Sequence, residues 1–306
     1  MMYLLLIIGF FLLIKGADYF VEGSSAIAKL LKVPSVVIGL TIVAMGTSAP
    51  EAAVSITAGL AGSNDLALSN VIGSNLFNLV LIVGVCALIR PFVVDKGIMK
   101  RDFPLAVLSS IILLFFIRDN YLSRIEGLIL LCIMIAYLIV TVTSAIRNPV
   151  ASEAQDRYLP MHTSLIYIGL GLAAIIFGGN LVVDNASRIA ASFGLSETLI
   201  GLTIVAIGTS LPELVTSVTA SRKGESGLAL GNVVGSNLFN ILFILGLSST
   251  VHPISAEPVA LTDILILIIL TSVVFIFCKI RGKMGRIMGS ACVAAYVIYS
   301  IYIIIR

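Results

Sequence analysis

Long apolar runs separated by short polar stretches dominate this chain of 306 residues. A membrane-spanning helix needs about 20 consecutive, mostly apolar residues. Ten runs are candidates for such helices, at approximately 3–30, 36–61, 66–89, 101–118, 123–146, 163–191, 198–221, 226–250, 259–279 and 284–305. The pattern predicts an all-α polytopic membrane protein with ten transmembrane helices.

The least apolar stretch, residues 147–162, falls between the fifth and sixth runs. It divides the chain into a first five-helix half at 1–146 and a second at 163–306, and we interpret it as a short cytoplasmic linker. Because five is odd, two such halves must insert with opposite orientations, which is the inverted-repeat design of many transporters. Loops on one side hold fourteen Lys and Arg, and those on the other hold four. The positive-inside rule then places the linker in the cytoplasm and both termini outside.

Composition supports a membrane protein and excludes several other classes. Hydrophobic residues make up 59% of the chain and charged residues 11%, against about a quarter charged in soluble domains. The Lys and Arg residues form no clustered basic surface, so nucleic acid is not an expected partner. Both histidines fall in connecting segments and no paired aspartate motif occurs, which argues against an intramembrane enzyme and gives no reason to expect a cofactor.

The chain repeats itself at a shift of 162 residues. Residues 39–59 (GLTIVAMGTSAPEAAVSITAG) match 201–221 (GLTIVAIGTSLPELVTSVTAS) at 14 of 21 positions. A second block, ALSNVIGSNLFNLVLIVG at 67–84, matches 229–246 at 12 of 18. Each copy carries one carboxylate, Glu51 or Glu213, inside an apolar run. An ionisable residue at membrane depth is costly and points to function, so two equivalent ones suggest one shared site.

The repeated motifs offer oxygen atoms for a cation. Proline lacks an N–H and breaks the helical ladder, so GTSAPE and GTSLPE should free carbonyl groups near Ala44 and Ala206. The motif GSNLFN adds neutral oxygens on one helix face. An all-oxygen set suits hard cations such as Ca²⁺ or Na⁺. Two plainer interpretations stay open, namely that each proline only kinks its helix and that the Ser and Asn side chains only join helices.

These paired motifs resemble the two alpha repeats of the calcium/cation antiporter superfamily, most closely its prokaryotic sodium/calcium exchanger-like branch. The resemblance implies alternating access at a central site between the second, third, seventh and eighth helices, with the first and sixth sliding across them. It implies cation ligands at Glu51, Thr47, Ser48, Ser74, Asn78, Glu213, Thr209, Ser210, Ser236 and Asn240, with backbone oxygens at Ala44 and Ala206.

The expected function is exchange of Ca²⁺ for Na⁺ across a prokaryotic plasma membrane, with both ions as substrates. Proton-coupled relatives typically carry a GNxxE motif, which this chain lacks, and potassium-dependent relatives typically carry Asp at the position of Asn240. Proton- or potassium-coupled calcium exchange is the alternative within transport. An ion channel is a separate alternative, distinguished by flux that does not depend on a counter-ion.

Overall fold

The computed structural model describes residues 1–60, 64–147, 149, 159–194 and 206–305. Its helices are α1 (Met2–Leu30), α2 (Ser35–Thr47), α3 (Ala49–Leu60), α4 (64–89), α5 (98–119), α6 (Arg124–Arg147), α7 (Met161–Ser192), α8 (Ala206–Thr209), α9 (Leu211–Lys223), α10 (Ser226–Val251), α11 (Pro258–Arg281) and α12 (Arg286–Ile305). Its strands are β1 (Phe92–Val93), β2 (Tyr121–Leu122), β3 (Ile254–Ser255) and β4 (Lys283–Met284).

The number of spans differs from the sequence prediction. By length and composition, seven described helices could cross a membrane, or eight if the bent pair α2 and α3 is one span. The run predicted at 101–118 forms α5, whose regular α-helical part, Phe103–Phe116, has 14 residues and is shorter than a usual span. The run predicted at 198–221 falls partly outside the described residues. The all-helical polytopic fold is therefore confirmed, whereas ten spans are not confirmed among the described residues.

Helices α1 and α7 pack against each other in antiparallel directions. Gly9 meets Gly178, Gly16 meets Gly171, and Gly23 meets Ser164, at intervals of seven residues along each helix. A Cβ atom added to Gly16 would lie 2.8 Å from the carbonyl oxygen of Gly171, so this spacing requires glycine. Small residues that let backbones approach are the usual means of packing helices in membranes.

The other helices surround α4 and α10, which lie at the centre of the molecule. Most of α10 is buried, whereas outer helices expose large apolar side chains such as Ile139 and Leu170. Within the polar loops, β1 pairs with β4 and β2 pairs with β3, as two short antiparallel sheets that the sequence did not predict. Each outer helix thus exposes an apolar surface suited to lipid.

Several contacts obey an approximate twofold relation. The pair Phe92 and Met284 maps onto Ile254 and Leu122 when the numbers are shifted by 162. The helix contact between Gly84 and Gly289 maps in the same way onto that between Gly246 and Gly127. Each sheet and each of these helix contacts joins a residue of the first copy to a residue of the second copy. The two copies therefore pack together along much of their length.

Candidate functional site

Two broken helices form the framework of the site. Helices α2 and α3 meet at a bend of 49°, with Ser48 at the break and Pro50 as the second residue of α3. In the other copy Ser210 separates α8 from α9, and Pro212 is again the second residue after the break. The breaks predicted from GTSAPE and GTSLPE are confirmed. They place one carboxylate in the first turn of α3 and one in the first turn of α9, where the helix dipole favours negative charge.

Glu51 and Glu213 are fully buried, and each is held by a serine from the other copy. Ser210 Oγ lies 2.9 Å from Glu51 Oε1, and Ser48 Oγ donates to Glu213 Oε1 at 2.8 Å. These two contacts map onto each other under the shift of 162 residues. Neither copy therefore completes the surroundings of its own carboxylate.

Ser74 links the carboxylates to the second motif. Its hydroxyl lies 3.4 Å from Glu51 Oε1 and 2.9 Å from Ser210 Oγ. It also accepts hydrogen bonds from Asn78 Nδ2 at 3.4 Å and Asn240 Nδ2 at 3.2 Å. We call the resulting group the central cluster; its members are Glu51, Glu213, Ser48, Ser210, Ser74, Asn78 and Asn240.

Five buried oxygen atoms at this place have no hydrogen-bond partner among the described residues. They are Glu51 Oε2, Glu213 Oε2, Asn78 Oδ1, Asn240 Oδ1 and Ser236 Oγ. Buried polar atoms in native proteins nearly always have a partner, so such a group needs an explanation. The carboxylate and amide oxygens can only accept hydrogen bonds or offer lone pairs to a cation, and the serine hydroxyl can do the same and also donate one proton. Such a set is suited to a cation.

The cluster departs from twofold symmetry at its centre. Ser74 contacts four cluster side chains, whereas the buried hydroxyl of its equivalent Ser236 on α10 is near Glu213 but forms no hydrogen bond of normal length and angle with a described residue. Asn240 turns its amide nitrogen to Ser74 and to Asn75 Oδ1, at 3.2 and 3.0 Å. Similar sequences in the two copies therefore give two different local arrangements of oxygen atoms.

Both predicted threonines contact asparagines that the sequence analysis did not select. Thr47 Oγ1 donates to Asn232 Oδ1 at 3.0 Å, and Thr209 Oγ1 lies 3.5 Å from Asn70 Oδ1. Asn232 in turn donates to Ser217 Oγ at 2.9 Å, and Asn70 donates to Ser55 Oγ at 3.0 Å. The signal was present, since both asparagines occur at the same place in the repeated second block.

The backbone oxygens are placed differently from the expectation. Ala44 O accepts the N–H of Ser48 at 3.0 Å and lies 3.4 Å from Thr47 Oγ1, so the helix break does not free it. The physical reason is position, because the N–H missing at Pro50 would have served Gly46, four residues earlier. In the other copy, Ala206 begins α8, and the N–H of Ser210 donates to Ile207 O at 3.2 Å.

Asn75 and Asn237 join the two copies by a reciprocal pair of hydrogen bonds. Asn75 Nδ2 donates to Asn237 O at 3.2 Å, and Asn237 Nδ2 donates to Asn75 O at 3.1 Å. The two residues differ by 162 in number, so the pair maps onto itself. The approximate twofold axis therefore passes between them, next to the central cluster.

Comparison with known proteins identifies the family. The model of the family described as "Sodium/calcium exchanger protein" matches residues 1–143 and 163–305. The chain belongs to the sodium/calcium exchanger family. Both matched segments contain one copy of the repeat, and the unmatched residues between them coincide closely with the linker segment 147–162.

Individual relatives agree over nearly the whole chain. The putative antiporter CaxA of Alkalimonas amylolytica is 40% identical over 92% of this chain and 91% of its own. The sodium/calcium exchanger MaX1 of Methanosarcina acetivorans is 36% identical over 90% of this chain and 91% of its own. A solved structure of the sodium–calcium exchanger NCX_Mj, soaked with Na⁺ and Sr²⁺, superposes with a TM-score of 0.87 at 35% identity, covering 97% of each chain.

Proposed function

We propose that this protein is a secondary antiporter that exchanges Ca²⁺ for Na⁺ across the plasma membrane by alternating access. The observation that carries the proposal is the pair of fully buried carboxylates, Glu51 and Glu213, each bonded to a serine of the other copy. Buried charges need compensation, and no Lys, Arg or His hydrogen-bonds to either carboxylate or forms an ion pair with it among the described residues.

Charge balance explains why the two ions would compete. Two ionised carboxylates carry two negative charges, which one Ca²⁺ or two Na⁺ neutralise. In a medium of low dielectric constant, an uncompensated charge costs several kcal/mol. Two unit charges about 4 Å apart, for example, interact by about 4 kcal/mol at an effective dielectric constant of about 20. Both kinds of ion would use overlapping oxygens and could not be held together, which is the basis of exchange.

The proposed ligands are the repeated oxygen-bearing residues. Ca²⁺ takes six to eight oxygen ligands, and the central cluster supplies most of them. Ala44 O would contribute its second lone pair, since its first is used by Ser48. The full proposed set is Glu51, Glu213, Thr47, Thr209, Ser48, Ser210, Ser74, Ser236, Asn78 and Asn240, with the backbone oxygens of Ala44 and Ala206.

We also propose the finer architecture, with ten spans in two inverted five-helix repeats at 1–146 and 163–306. The antiparallel packing of α1 on α7 supports it, as do the paired sheets and the reciprocal bonds of Asn75 and Asn237. Most Lys and Arg residues in loops belong to the end that holds β1 and β4, which would be cytoplasmic. Both termini would then face outward.

The coupling ion is proposed as Na⁺. Relatives that match most of the chain include one named a sodium/calcium exchanger, whereas the matched part of mouse sodium/potassium/calcium exchanger 1 covers 39% of this chain and 11% of that protein. Proton- or potassium-coupled exchange is the alternative. The absence of the GNxxE motif and the presence of Asn240 support Na⁺ over a proton or K⁺ as the coupling ion.

Uptake of radiolabelled Ca²⁺ into proteoliposomes tests this proposal. An outward Na⁺ gradient should drive uptake without K⁺ on either side, and a pH gradient alone should not. Uptake that follows a pH gradient and ignores Na⁺ would overturn the Na⁺ assignment, and uptake that needs no counter-ion gradient would indicate a channel. Applying a membrane voltage then tests stoichiometry, because exchange of three Na⁺ for one Ca²⁺ moves net charge and exchange of two does not.

A further inference from the structure

A cavity of about 540 Å³ lies where α11, β4 and the start of α12 meet the loop after α4, outside the central cluster. This basic cavity, as we call it, is lined by Pro91, Phe277, Arg281, Lys283, Gly285, Arg286, Ile287 and Met288. It lies at the end of the molecule that holds β1 and β4. The proposed transport mechanism gives it no role.

The lining carries three cations and no carboxylate. None of Arg281, Lys283 and Arg286 forms an ion pair with a described residue. Arg286 Nε donates to Leu88 O at 3.2 Å, which fixes that side chain while leaving its two terminal nitrogens for another partner. Three cations gathered at one opening attract an anion, and the guanidinium group is well suited to phosphate.

The approximate twofold relation provides an internal comparison. Subtracting 162 places Arg281, Lys283 and Arg286 on Asp119, Tyr121 and Arg124, at the opposite end of the molecule. Met288 corresponds to Glu126, which bonds the Ser123 hydroxyl. The same fold therefore carries two carboxylates and one guanidinium group at one end, and three cations in a lining without a carboxylate at the other. The fold alone does not require these cations.

Apolar surface surrounds the basic cavity. Ile287 lines it and is 91% exposed, Ile280 next to it is 75% exposed, and Val93 on β1 is 77% exposed. A soluble anion would gain nothing from these side chains, whereas acyl chains would cover them. Basic pockets at the membrane interface are known to hold lipid head groups.

We propose that the basic cavity binds the phosphate head group of an anionic phospholipid from the adjoining leaflet. Arg281, Lys283 and Arg286 would contact the phosphate, and the acyl chains would lie along Ile280 and Ile287. This proposal does not depend on the identity of the transported ions.

Native mass spectrometry of the purified full-length protein tests the proposal, with phosphatidylglycerol and phosphatidylcholine as probes. The test variant is Arg281→Gln with Lys283→Gln, which leaves the anchored Arg286 in place. The matched control is Arg118→Gln with Arg124→Gln at the opposite end, which also removes two exposed cations. Charge-preserving Arg281→Lys with Lys283→Arg checks that the loss of charge, and not a disturbed fold, is responsible.

We expect phosphatidylglycerol to bind in preference to phosphatidylcholine. Each cation near an anionic surface strengthens binding about fivefold, so the test variant should lose about 25-fold in affinity for one bound lipid. The control and the charge-preserving variants should keep it. Equal loss in test and control variants, or equal binding of both lipids, would overturn the proposal. Displacement of the lipid by inorganic phosphate at equal concentration would show a simple anion site and would also contradict a lipid site.

Discussion

Glu51 and Glu213 depend on each other's copy of the repeat at the level of single atoms. Each accepts a serine hydroxyl from the other copy, and each has a second carboxylate oxygen without a partner among the described residues. Removing either charge would leave a divalent ion with half of its compensation. Substitutions of these two residues therefore test the proposed transport chemistry most directly at the residue scale.

Replacing Glu51 or Glu213 with Gln should nearly abolish Ca²⁺ transport. Gln keeps the size and one accepting oxygen, so the fold should remain, but the lost charge is worth about 4 kcal/mol at about 4 Å, or more than a hundredfold in affinity. Ca²⁺ uptake into proteoliposomes measures the effect, with the exposed Glu257→Gln as control. Near-normal exchange in either variant would contradict the proposal that the two carboxylates share one cation site.

The reciprocal asparagines should contribute to stability unequally. Asn237→Ala removes the donor to Asn75 O, whereas Asn75→Ala removes the donor to Asn237 O and also the acceptor of Asn240 Nδ2. An unsatisfied buried polar group costs about 1–3 kcal/mol, so Asn75→Ala should be the more destabilising of the two. Thermal unfolding in detergent measures this difference, and the reverse order would contradict the described pairing.

Much of the site could be predicted from single residues, and some of it could not. A carboxylate inside an apolar run is energetically costly and therefore points to a function, so Glu51 and Glu213 could be identified from the sequence. Asn75 and Asn237 carry the same residue type as Asn78 and Asn240, and only their mutual contact across the molecule distinguishes them. The partnered state of Ala44 O likewise depends on where the helix breaks, which the proline fixes only to within a turn.

At the scale of elements, the prolines were more informative about helix breaks than hydrophobicity. Pro50 and Pro212 predicted the broken helices correctly, because a missing N–H acts locally. The wide π-helical turns at Gly39–Val43, Phe77–Ile82 and Phe239–Leu245 have no such marker. Turns of this kind are frequent at functional sites, and here two of them start beside Asn78 and Asn240.

Polar contacts between α1 and the α9–α10 segment should restrain the movement of α1 that the proposed alternating access would require. Lys223 Nζ lies 3.5 Å from Asp18 Oδ1 and 3.8 Å from Glu22 Oε2, and Ser25 Oγ donates to Glu225 Oε1 at 2.5 Å. Exposed ion pairs are worth at most about 1 kcal/mol. Lys223→Met should therefore raise the equilibrium constant for local opening of α1, around residues 20–30, by no more than about fivefold.

Hydrogen–deuterium exchange of residues 20–30 measures that opening. The neighbouring Arg222→Met, which removes an exposed cation from the same helix, is the matched control. Faster exchange is expected only for Lys223→Met. Identical exchange in both variants and the wild type would show that the ion pairs do not restrain α1.

At the scale of the whole molecule, the approximate twofold relation organises the fold. It relates the sheet of β1 and β4 to the sheet of β3 and β2, and it relates the contact between Gly84 and Gly289 to that between Gly246 and Gly127. The sequence repeat predicted a relation between two halves, but it could not show that each sheet joins one half to the other. The paired strands are far apart in the sequence, so local sequence patterns cannot predict which strands pair.

An inverted arrangement makes a direct prediction about sidedness. In a background without the four native cysteines, Lys96→Cys should react only with impermeant thiol reagents that reach the cytoplasm. Glu257→Cys should react only from outside. Both positions are exposed, Lys96 shortly before α5 and Glu257 directly before α11. Reaction of both from the same side would contradict the orientation inferred from the charge distribution.

Competition between Ca²⁺ and Na⁺ for one site is the central claim. Calorimetric titration of the purified protein with Ca²⁺, at increasing Na⁺ and with K⁺ keeping the ionic strength constant, measures it most directly. The account predicts that the apparent Kd for Ca²⁺ rises more steeply than in proportion to Na⁺, because more than one Na⁺ must leave. Replacing Na⁺ by K⁺ should abolish this effect. A Kd that does not depend on Na⁺ would mean that the two ions occupy separate sites, and the account would be wrong.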